Sequence, residues 1–166
     1  MNESNITIGE YRDIVVPENC RGEDRDRYIM NHILKTGDAQ VSEEEIRERA
    51  AGMFEQYDIR LSQQGMSIED YYRQTNTGPE ELMAEFMKHA ERQIKERKLL
   101  LHIAELEGTL ADEDDYICYL QNTGKKYPLP VEKVQDILDV RKKDIMEEIT
   151  FRKTIDYIVM HYCRTD

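Results

Sequence analysis

The chain of 166 residues has no tryptophan, three phenylalanines and three cysteines. Its apolar residues, 39% of the total, are therefore mainly Ile, Leu, Met and Tyr, and 35% of the residues are charged. No stretch approaches the roughly 18 apolar residues of a membrane span, and the N-terminal MNESNITIGE has no apolar signal-peptide segment. The composition favours helices with one solvated face, and it predicts a cytoplasmic protein.

The three cysteines contain no CxxC pair. Cys20, Cys118 and Cys163 are widely spaced and odd in number, so neither a disulfide framework nor a zinc site is indicated. This pattern favours a reducing compartment. Cys118 precedes Tyr119 on an apolar helical face, and we expect it in the core rather than as a nucleophile.

Catalytic and metal-binding motifs are also absent from the sequence. The four histidines, His32, His89, His102 and His161, fall on predicted helices without an HExxH pattern, which favours structural or surface roles. The DEDD run at residues 112–115 lacks the central glycine of a calcium loop and is typical of an acidic first helical turn. The glycines are isolated, so no phosphate-binding loop is expected. We predict no enzyme activity, cofactor or metal.

The net charge of -12 bears on the partners of the chain. It argues against nucleic acid and against an anionic membrane surface, because both recognise cationic proteins. Two interpretations stay open: the acidity serves solubility alone, or it favours basic protein partners.

Capping signals divide most of the chain into helices. Ser42 with Glu45 and Ser67 with Asp70 form capping boxes on either side of Gly65, which predicts one helix that ends there and another that begins directly afterwards. Thr77 with Glu80 predicts the start of a long helix that ends near residue 107. At roughly 1.5 Å per residue this helix spans about 40 Å, which predicts an elongated molecule.

The other expected elements are shorter. Residues 6–16 read as a strand-like lead-in with no partner strand nearby, and the KERK run at residues 95–98 reads as a solvated face. Further helices are predicted at residues 23–35, 112–120, 131–138 and 139–162, with a turn-rich connector, QNTGKKYPLP, at residues 121–130.

Several of these segments together resemble one known family. RLSQQGMSIEDYY at residues 60–72, followed by residues 77–105, resembles the helix, glycine break, short helix and long helix of the C-terminal domain of bacterial trigger factors. EITFRKTIDYIV at residues 148–159 is similar to the closing helix of that domain. VSEEEI at residues 41–46 resembles the entry into its first arm, and GEYRDIVV at residues 9–16 resembles the strand-like segment before the family's isomerase domain.

Two departures limit what the resemblance implies. Trigger factors dock on the ribosome through a Gly-Phe-Arg loop, and no glycine of this sequence is followed by phenylalanine. Only residues 17–40 stand where the prolyl-isomerase domain would lie. We therefore expect neither ribosome docking nor isomerase activity, and we interpret the chain, which begins with methionine, as a complete short protein.

The resemblance implies an all-α, SurA-like body with helical arms. It predicts a single chaperone domain over residues 1–166: an extended arm at 1–17, the first helix and a linker at 18–40, and the helical body and arms at 41–166. The function it implies is an ATP-independent holdase that binds non-native or nascent polypeptides in a cleft between arms. The alternative is a dedicated adaptor for one folded, basic partner. Whether the chain forms a homodimer stays open.

Client contact is expected from Met and Tyr side chains, which adapt their shape or combine apolar area with a polar tip. For any single residue, a place in the core is the competing interpretation. The predicted client-binding residues are Met53, Tyr57, Tyr71, Tyr72, Met83, Met87, Tyr116, Tyr119 and Tyr127.

Overall fold

The computed structural model describes residues 6–127 and 129–165. Residues 1–5 of the predicted extended arm, Pro128 of the predicted connector, and Asp166 lie outside the described residues. Within them the chain forms seven α-helices and a few short strands, which confirms the all-α fold class.

The elements follow in the order β1 (Ile6–Thr7), β2 (Ile14–Val16), α1 (Glu23–Thr36), β3 (Asp38–Ala39), α2 (Glu43–Gln63), α3 (Ile68–Thr75), α4 (Pro79–Glu107), α5 (Glu113–Lys126), α6 (Val131–Leu138) and α7 (Lys142–Tyr162). A 3-10 turn, Asp139–Arg141, precedes α7, and β4 (Cys163–Thr165) follows it.

Contacts within the chain group the described residues into two compact units. Unit 1 contains Ile6 and residues 38–98, and unit 2 contains residues 7–37 and 99–165. Residues 79–98 of α4 thus count with unit 1, and residues 99–107 count with unit 2. The single chaperone domain over residues 1–166 remains a prediction.

Unit 1 is a helical hairpin in which α2 and the first part of α4 run antiparallel. The Nη2 atom of Arg49 on α2 donates to Oε1 of Gln93 on α4 at 2.9 Å. Further along α2, the ring centroids of Phe54 and Phe86 lie 6.1 Å apart. The residue numbers rise along α2 while those of their partners fall along α4, which defines the antiparallel orientation.

The helix break predicted at Gly65 is confirmed. The N–H of Gly65 donates to the carbonyl of Ser62 at 3.0 Å, and the N–H of Met66 donates to that of Leu61 at 3.0 Å. This pair of bonds is the Schellman motif, which satisfies carbonyls at the end of a helix. Gly65 has a φ of 76°, a left-handed conformation that a side chain disfavours. The capping box of Ser67 and Asp70 then begins α3.

The cap predicted for α4 is displaced by one residue. Because α4 begins at Pro79, the residue directly before it is Gly78 and not Thr77. The Gly78 N–H donates to the carboxylate of Glu81 at 3.0 Å, so Glu81 takes the role that the sequence assigned to Glu80. Proline in the first turn remains favourable because its missing N–H would have had no partner there.

The KERK run is a set of ion pairs rather than a solvated face. Lys95 lies 3.2 Å from a carboxylate oxygen of Asp38 and 3.1 Å from one of Glu91. Lys98, which is half-buried, lies 2.8 Å from Oε1 of Glu45 and also donates to the carbonyl of Gln40. These lysines therefore hold α4 to α2 and to the segment before it.

The capping box of α2 leads to a prediction about pH. Glu45 accepts hydrogen bonds from Lys98 and from the Ser42 N–H, which lower its pKa from 4.5 to about 2. Because the folded-state pKa is depressed, the stability that Glu45 contributes is complete above pH 4.5 and is lost as the pH falls toward 2. We expect Glu45→Gln and the unmodified protein to differ most in free energy of unfolding at neutral pH, measured in urea. A difference independent of pH from 7 down to about 2 would contradict this assignment.

Unit 2 joins the two ends of the described chain through β2 and β4. These strands pair in parallel, with Ile14 opposite Cys163 and Val16 opposite Thr165. Ile14 and Val16 are buried, whereas Val15 between them is partly exposed. The sequence indicated no partner for this strand, because β4 lies almost 150 positions away along the chain.

A buried carboxylate ties three segments of unit 2 together. Glu107, at the end of α4, has a side chain only 7% exposed and pairs with Arg12 at 2.8 Å. Its Oε1 accepts from the hydroxyl of Tyr11 at 2.5 Å, and its Oε2 accepts from that of Tyr162 at 3.1 Å. A negative charge at a helix C-terminus is unfavourable toward the helix dipole, and these donors offset that cost. The Tyr11 hydroxyl is the largest cause of the lowered Glu107 pKa.

Helices α5, α6 and α7 enclose a hydrophobic core in unit 2. It consists of Tyr116, Leu120, Val134 and Ile145. The predicted end of α5 at Leu120 is wrong, because the helix continues through QNTGKK to Lys126. Gly124 is buried there, and a Cβ on it would lie 2.8 Å from the carbonyl oxygen of Leu129. The glycine therefore lets the connector pass close to the helix and does not end it.

Candidate functional site

An aromatic cluster, defined here as Phe54, Tyr57, Tyr71, Tyr72 and Phe86, lies in unit 1 where α2, α3 and α4 meet. Tyr57 contacts Tyr71 and Phe86 edge to face, with centroids at 5.4 and 5.6 Å, and Tyr71 contacts Tyr72 at 6.3 Å. Edge-to-face packing at such distances stabilises aromatic pairs beyond simple burial. All five rings are only half-buried, so the cluster presents part of its apolar area to solvent.

The hydroxyl of Tyr57 in this cluster is protonated at neutral pH. Burial and the neighbouring Tyr71 hydroxyl raise the pKa of Tyr57 to about 12, and Arg60 opposes them. The Cζ of Arg60 lies 5.8 Å from the centroid of the Tyr57 ring, a cation-π distance. Tyr57 therefore combines an apolar ring with a neutral polar tip.

The methionines predicted as client-binding residues lie on α2 and α4, two of the three helices that carry the aromatic cluster. Met53 belongs to α2, and Met83 and Met87 belong to α4. All three side chains are half-buried. The structure thus places six of the nine predicted residues in unit 1, all of them partly accessible. It adds Phe54 and Phe86, which the site prediction omitted.

Few side chains of this hairpin are buried. The buried side chains of α2 and of the first part of α4 are Ala50, Leu61, Leu82 and Ala90, and α3 has none. The aromatic rings and methionines of the same helices are half-buried. Unit 1 accordingly carries much of its apolar area on partly solvated faces.

The three predicted residues in unit 2 have different environments. Tyr116 is 0% exposed, so its assignment to a client-facing surface is corrected: its ring is part of the core of α5, α6 and α7. Tyr119 is half-buried and packs against that core. Tyr127 is 58% exposed, with the Nζ of Lys126 5.6 Å from its ring centroid.

Unit 2 also exposes an apolar pair that the sequence analysis missed. Ile137, at the end of α6, is 61% exposed, and Val140, three residues later, is 88% exposed. Residues three apart share a helical face, so this spacing was the available signal. The pair was missed because charged residues adjoin both positions in the sequence.

The cysteine and histidine predictions are only partly met. Cys118 is exposed on α5, so the expectation that it lies in the core is wrong. His89 and His161 are exposed, and the ring of His161 stacks on Tyr157 at 4.1 Å. His32 is half-buried, and its Nε2 has no hydrogen-bond partner among the described residues. No group of three His, Cys, Asp or Glu side chains in the described chain is arranged to hold a metal ion.

None of the helices in residues 6–127 and 129–165 combines the length and the apolar character needed to cross a bilayer.

These features define the class of protein: an all-α chain with a helical hairpin whose aromatic and methionine side chains are partly exposed. A family model described as the C-terminus of bacterial trigger factor matches residues 21–160. The chain belongs to this family, and the resemblance seen in the sequence is confirmed.

Individual relatives agree with the family match. The chain is 27% identical over 132 residues to the trigger factor of Clostridioides difficile (strain 630), covering 79% of this chain and 31% of the relative. It is 30% identical over 131 residues to the trigger factor of Alkaliphilus metalliredigens, covering 78% and 31%. The chain thus spans about a third of the length of these curated relatives. No solved structure matches it.

Proposed function

We propose that the protein is an ATP-independent chaperone of the holdase type, which binds unfolded or partly folded polypeptides. The observation that carries this proposal is the family match over residues 21–160. The partly exposed aromatic cluster and the methionines of unit 1 support it.

The chemistry of these side chains suits reversible binding to varied sequences. Methionine is unbranched and polarisable, so it adapts to irregular apolar surfaces. Tyrosine brings a large contact area at a small cost in conformational entropy. Since each side chain is already half-buried, it contributes only part of its apolar area to a client, and affinity then depends on several weak contacts.

The basic test is the aggregation of an unfolded client. A reduced, denatured protein is diluted into buffer without nucleotide, and light scattering is followed with increasing amounts of the purified chain. We expect suppression at stoichiometric amounts. Equal aggregation with and without the chain, together with no binding in a titration, would contradict the proposal.

Paired variants on α4 test the proposed surface. Met83→Gln with Met87→Gln should raise the concentration needed for half-maximal suppression about three- to tenfold, because each substitution removes on the order of 1 kcal/mol or less of apolar contact. Glutamine is close to methionine in length and helix propensity, which limits the effect on folding.

The matched control lies on the same stretch of helix. Glu85→Gln with Lys88→Gln replaces two exposed side chains of opposite charge and should leave suppression unchanged. Circular dichroism and urea unfolding verify that both double variants fold. Equal suppression by the two folded variants would show that Met83 and Met87 do not contact clients.

The second candidate function is that of a dedicated adaptor for one folded, basic protein. The observation in its favour is the charge of -12, with acidic first turns at residues 43–45 of α2 and 113–115 of α5. Binding to a basic partner should weaken steeply as salt is added, because exposed charges are screened. Holdase binding through apolar contacts should persist at high salt, and titrations at low and high salt therefore discriminate the two.

A further inference from the structure

A pocket in unit 2 brings together two of the three cysteines. Cys20 and Cys163 both line it, along with the basic residues Arg21, Arg25 and Arg164. Neither cysteine forms a disulfide, and both are half-buried. The pocket is independent of the surfaces proposed above for client binding.

The fold explains why residues so distant in sequence share this pocket. Cys163 is the first residue of β4 and pairs with Ile14 of β2. Immediately after β2 the chain turns, and the N–H of Cys20 donates to the carbonyl of Pro17 at 2.9 Å. Four-residue turns bring their ends within about 7 Å, so Cys20 stays close to Pro17 and to the end of the strand pair where Val16 faces Thr165, two residues beyond Cys163.

Most of the charged side chains that line the pocket are basic. Three arginines line it against one acidic residue, Glu18. Arg25 pairs with Asp26 at 2.9 Å and Arg164 pairs with Asp13 at 2.6 Å. Arg21 is exposed at the surface. Guanidinium groups in a pocket attract anionic reagents.

The two thiols are not equivalent. Burial raises the pKa of Cys163, and the nearby charge of Arg25 opposes that effect. Cys20 lies in a turn, whereas the pairing of β2 with β4 holds Cys163 in a strand. This arrangement suits Cys20 as the thiol that first meets a reagent from solution.

We propose that Cys20 and Cys163 form a redox couple that closes to an intramolecular disulfide on reaction with an anionic, low-molecular-weight disulfide such as oxidised glutathione. The Cys20 thiolate attacks one sulfur of the small disulfide, forming a mixed disulfide and releasing one small thiolate. The Cys163 thiolate then attacks Sγ of Cys20, forming the Cys20–Cys163 bond and releasing the second small thiolate. The protein thiols lose two protons and two electrons, and one small disulfide becomes two thiols.

The disulfide forms only when the turn and β4 bring the two cysteines to bonding separation. Bridged cysteines have Cα atoms about 4.4–6.8 Å apart. The turn at residues 17–20 connects β2 to α1 and lies between regular elements, so it is the segment that adjusts. The resulting link would join positions at the two ends of unit 2 and stabilise the pairing of β2 with β4.

Cys118 provides an internal comparison. It is exposed on α5 and does not line the pocket. It should therefore form only a mixed disulfide with glutathione. Cys118→Ser leaves the two pocket thiols alone and, as an exposed substitution, should preserve the fold.

The experiment uses the full chain carrying Cys118→Ser. The protein is equilibrated with oxidised and reduced glutathione, trapped by alkylation and analysed by intact mass and peptide mapping, natively and in concentrated urea. In the native protein we expect the loss of two hydrogens and a linked peptide pair containing positions 20 and 163. The ratio of internal to mixed disulfide should be about tenfold or more higher than in urea, because folding raises the effective concentration of the two thiols. Glutathione adducts on both cysteines, or an equal ratio in urea, would overturn the proposal.

A second measurement tests the role of the pocket charge. Arg21→Ala should slow the reaction with oxidised glutathione about threefold, while leaving the reaction with a neutral disulfide such as hydroxyethyl disulfide unchanged. Arg27→Ala is the control, because Arg27 is exposed on α1 and does not line the pocket. An equal slowing by both substitutions, or none by Arg21→Ala, would overturn the assignment of this pocket as the place of reaction.

Discussion

Replacing Tyr116 by alanine is expected to lower the free energy of unfolding of the protein by about 3–5 kcal/mol, the usual cost of removing a large aromatic side chain from a core. Tyr116 is 0% exposed and packs with Leu120, Val134 and Ile145. Its loss leaves a cavity that the surrounding helices fill only in part. Urea unfolding followed by circular dichroism measures the change.

The conservative variant separates packing from the hydroxyl. Tyr116→Phe keeps the ring and removes one hydrogen bond, from the hydroxyl to Asp139 at 3.2 Å. Because Asp139 is exposed and can bond to water instead, we expect a change of about 1 kcal/mol or less. A Tyr116→Ala protein of unaltered stability that binds clients more weakly would restore Tyr116 to the client surface and contradict its place in the core.

Replacing Glu107 by alanine is the second change with a large expected effect, about 2–3 kcal/mol of unfolding free energy. The substitution removes the acceptor of both the Tyr11 and Tyr162 hydroxyls, of which the Tyr11 side chain is buried. Arg12 contributes less to this figure, because its side chain is 59% exposed and solvent screens its charge.

The control for Glu107 lies two residues earlier on the same helix. Glu105 is exposed, and its partner is the imidazole of His102 at 3.5 Å. Glu105→Ala should change the unfolding free energy by less than about 0.5 kcal/mol. Equal effects of the two substitutions in urea unfolding would mean that the helix end, and not the hydrogen-bonded carboxylate, determines stability.

Acid should weaken the hydrogen bonds and the ion pair of Glu107. The pKa of Glu107 is lowered in the folded state, first by the Tyr11 hydroxyl, so its contribution is complete above its ordinary pKa of 4.5. That contribution is lost as the pH falls below this value. The difference between Glu107→Gln and the unmodified protein should accordingly shrink on acidification.

Most helices could be predicted because their signals are local. The capping boxes of α2 and α3 depend on residues three positions apart, and the break at Gly65 depends on a conformation that one glycine provides. The bounds of α6, Val131–Leu138, also agree with the prediction. In each case the residues that decide the structure are neighbours in the sequence.

The errors arose where contacts that the local pattern does not show decide the structure. The end of α5 was misplaced because Gly124 lies inside the helix where the Leu129 carbonyl approaches it, which the glycine itself does not reveal. Lys98 looked solvated until Glu45, 53 positions away, was seen beside it. Neither the pairing of β2 with β4 nor the Glu107 cluster has any local signature.

The candidate client-binding surface was predicted only in part, because a sequence pattern does not show which side chains other elements cover. The prediction chose Met and Tyr side chains on predicted helices, including both Tyr57 and Tyr116, but residue type does not tell which side chains are covered. Tyr57 is half-buried, whereas Tyr116 is enclosed in the core of α5, α6 and α7. Whether the accessible residues bind clients remains a prediction.

The pairing of β2 with β4 has a consequence for the order of folding during synthesis. A ribosome makes the chain from the N-terminus, so the helices of unit 1 are all present once residue 98 has emerged. Ile14 and Val16 instead wait for Cys163 and Thr165, and Tyr11 waits for Glu107 and Tyr162. Contacts of such long sequence separation form slowly. Unit 2 is therefore completed last. Until its C-terminal residues have been made, its N-terminal apolar side chains are exposed, as they are in an unfolded nascent polypeptide.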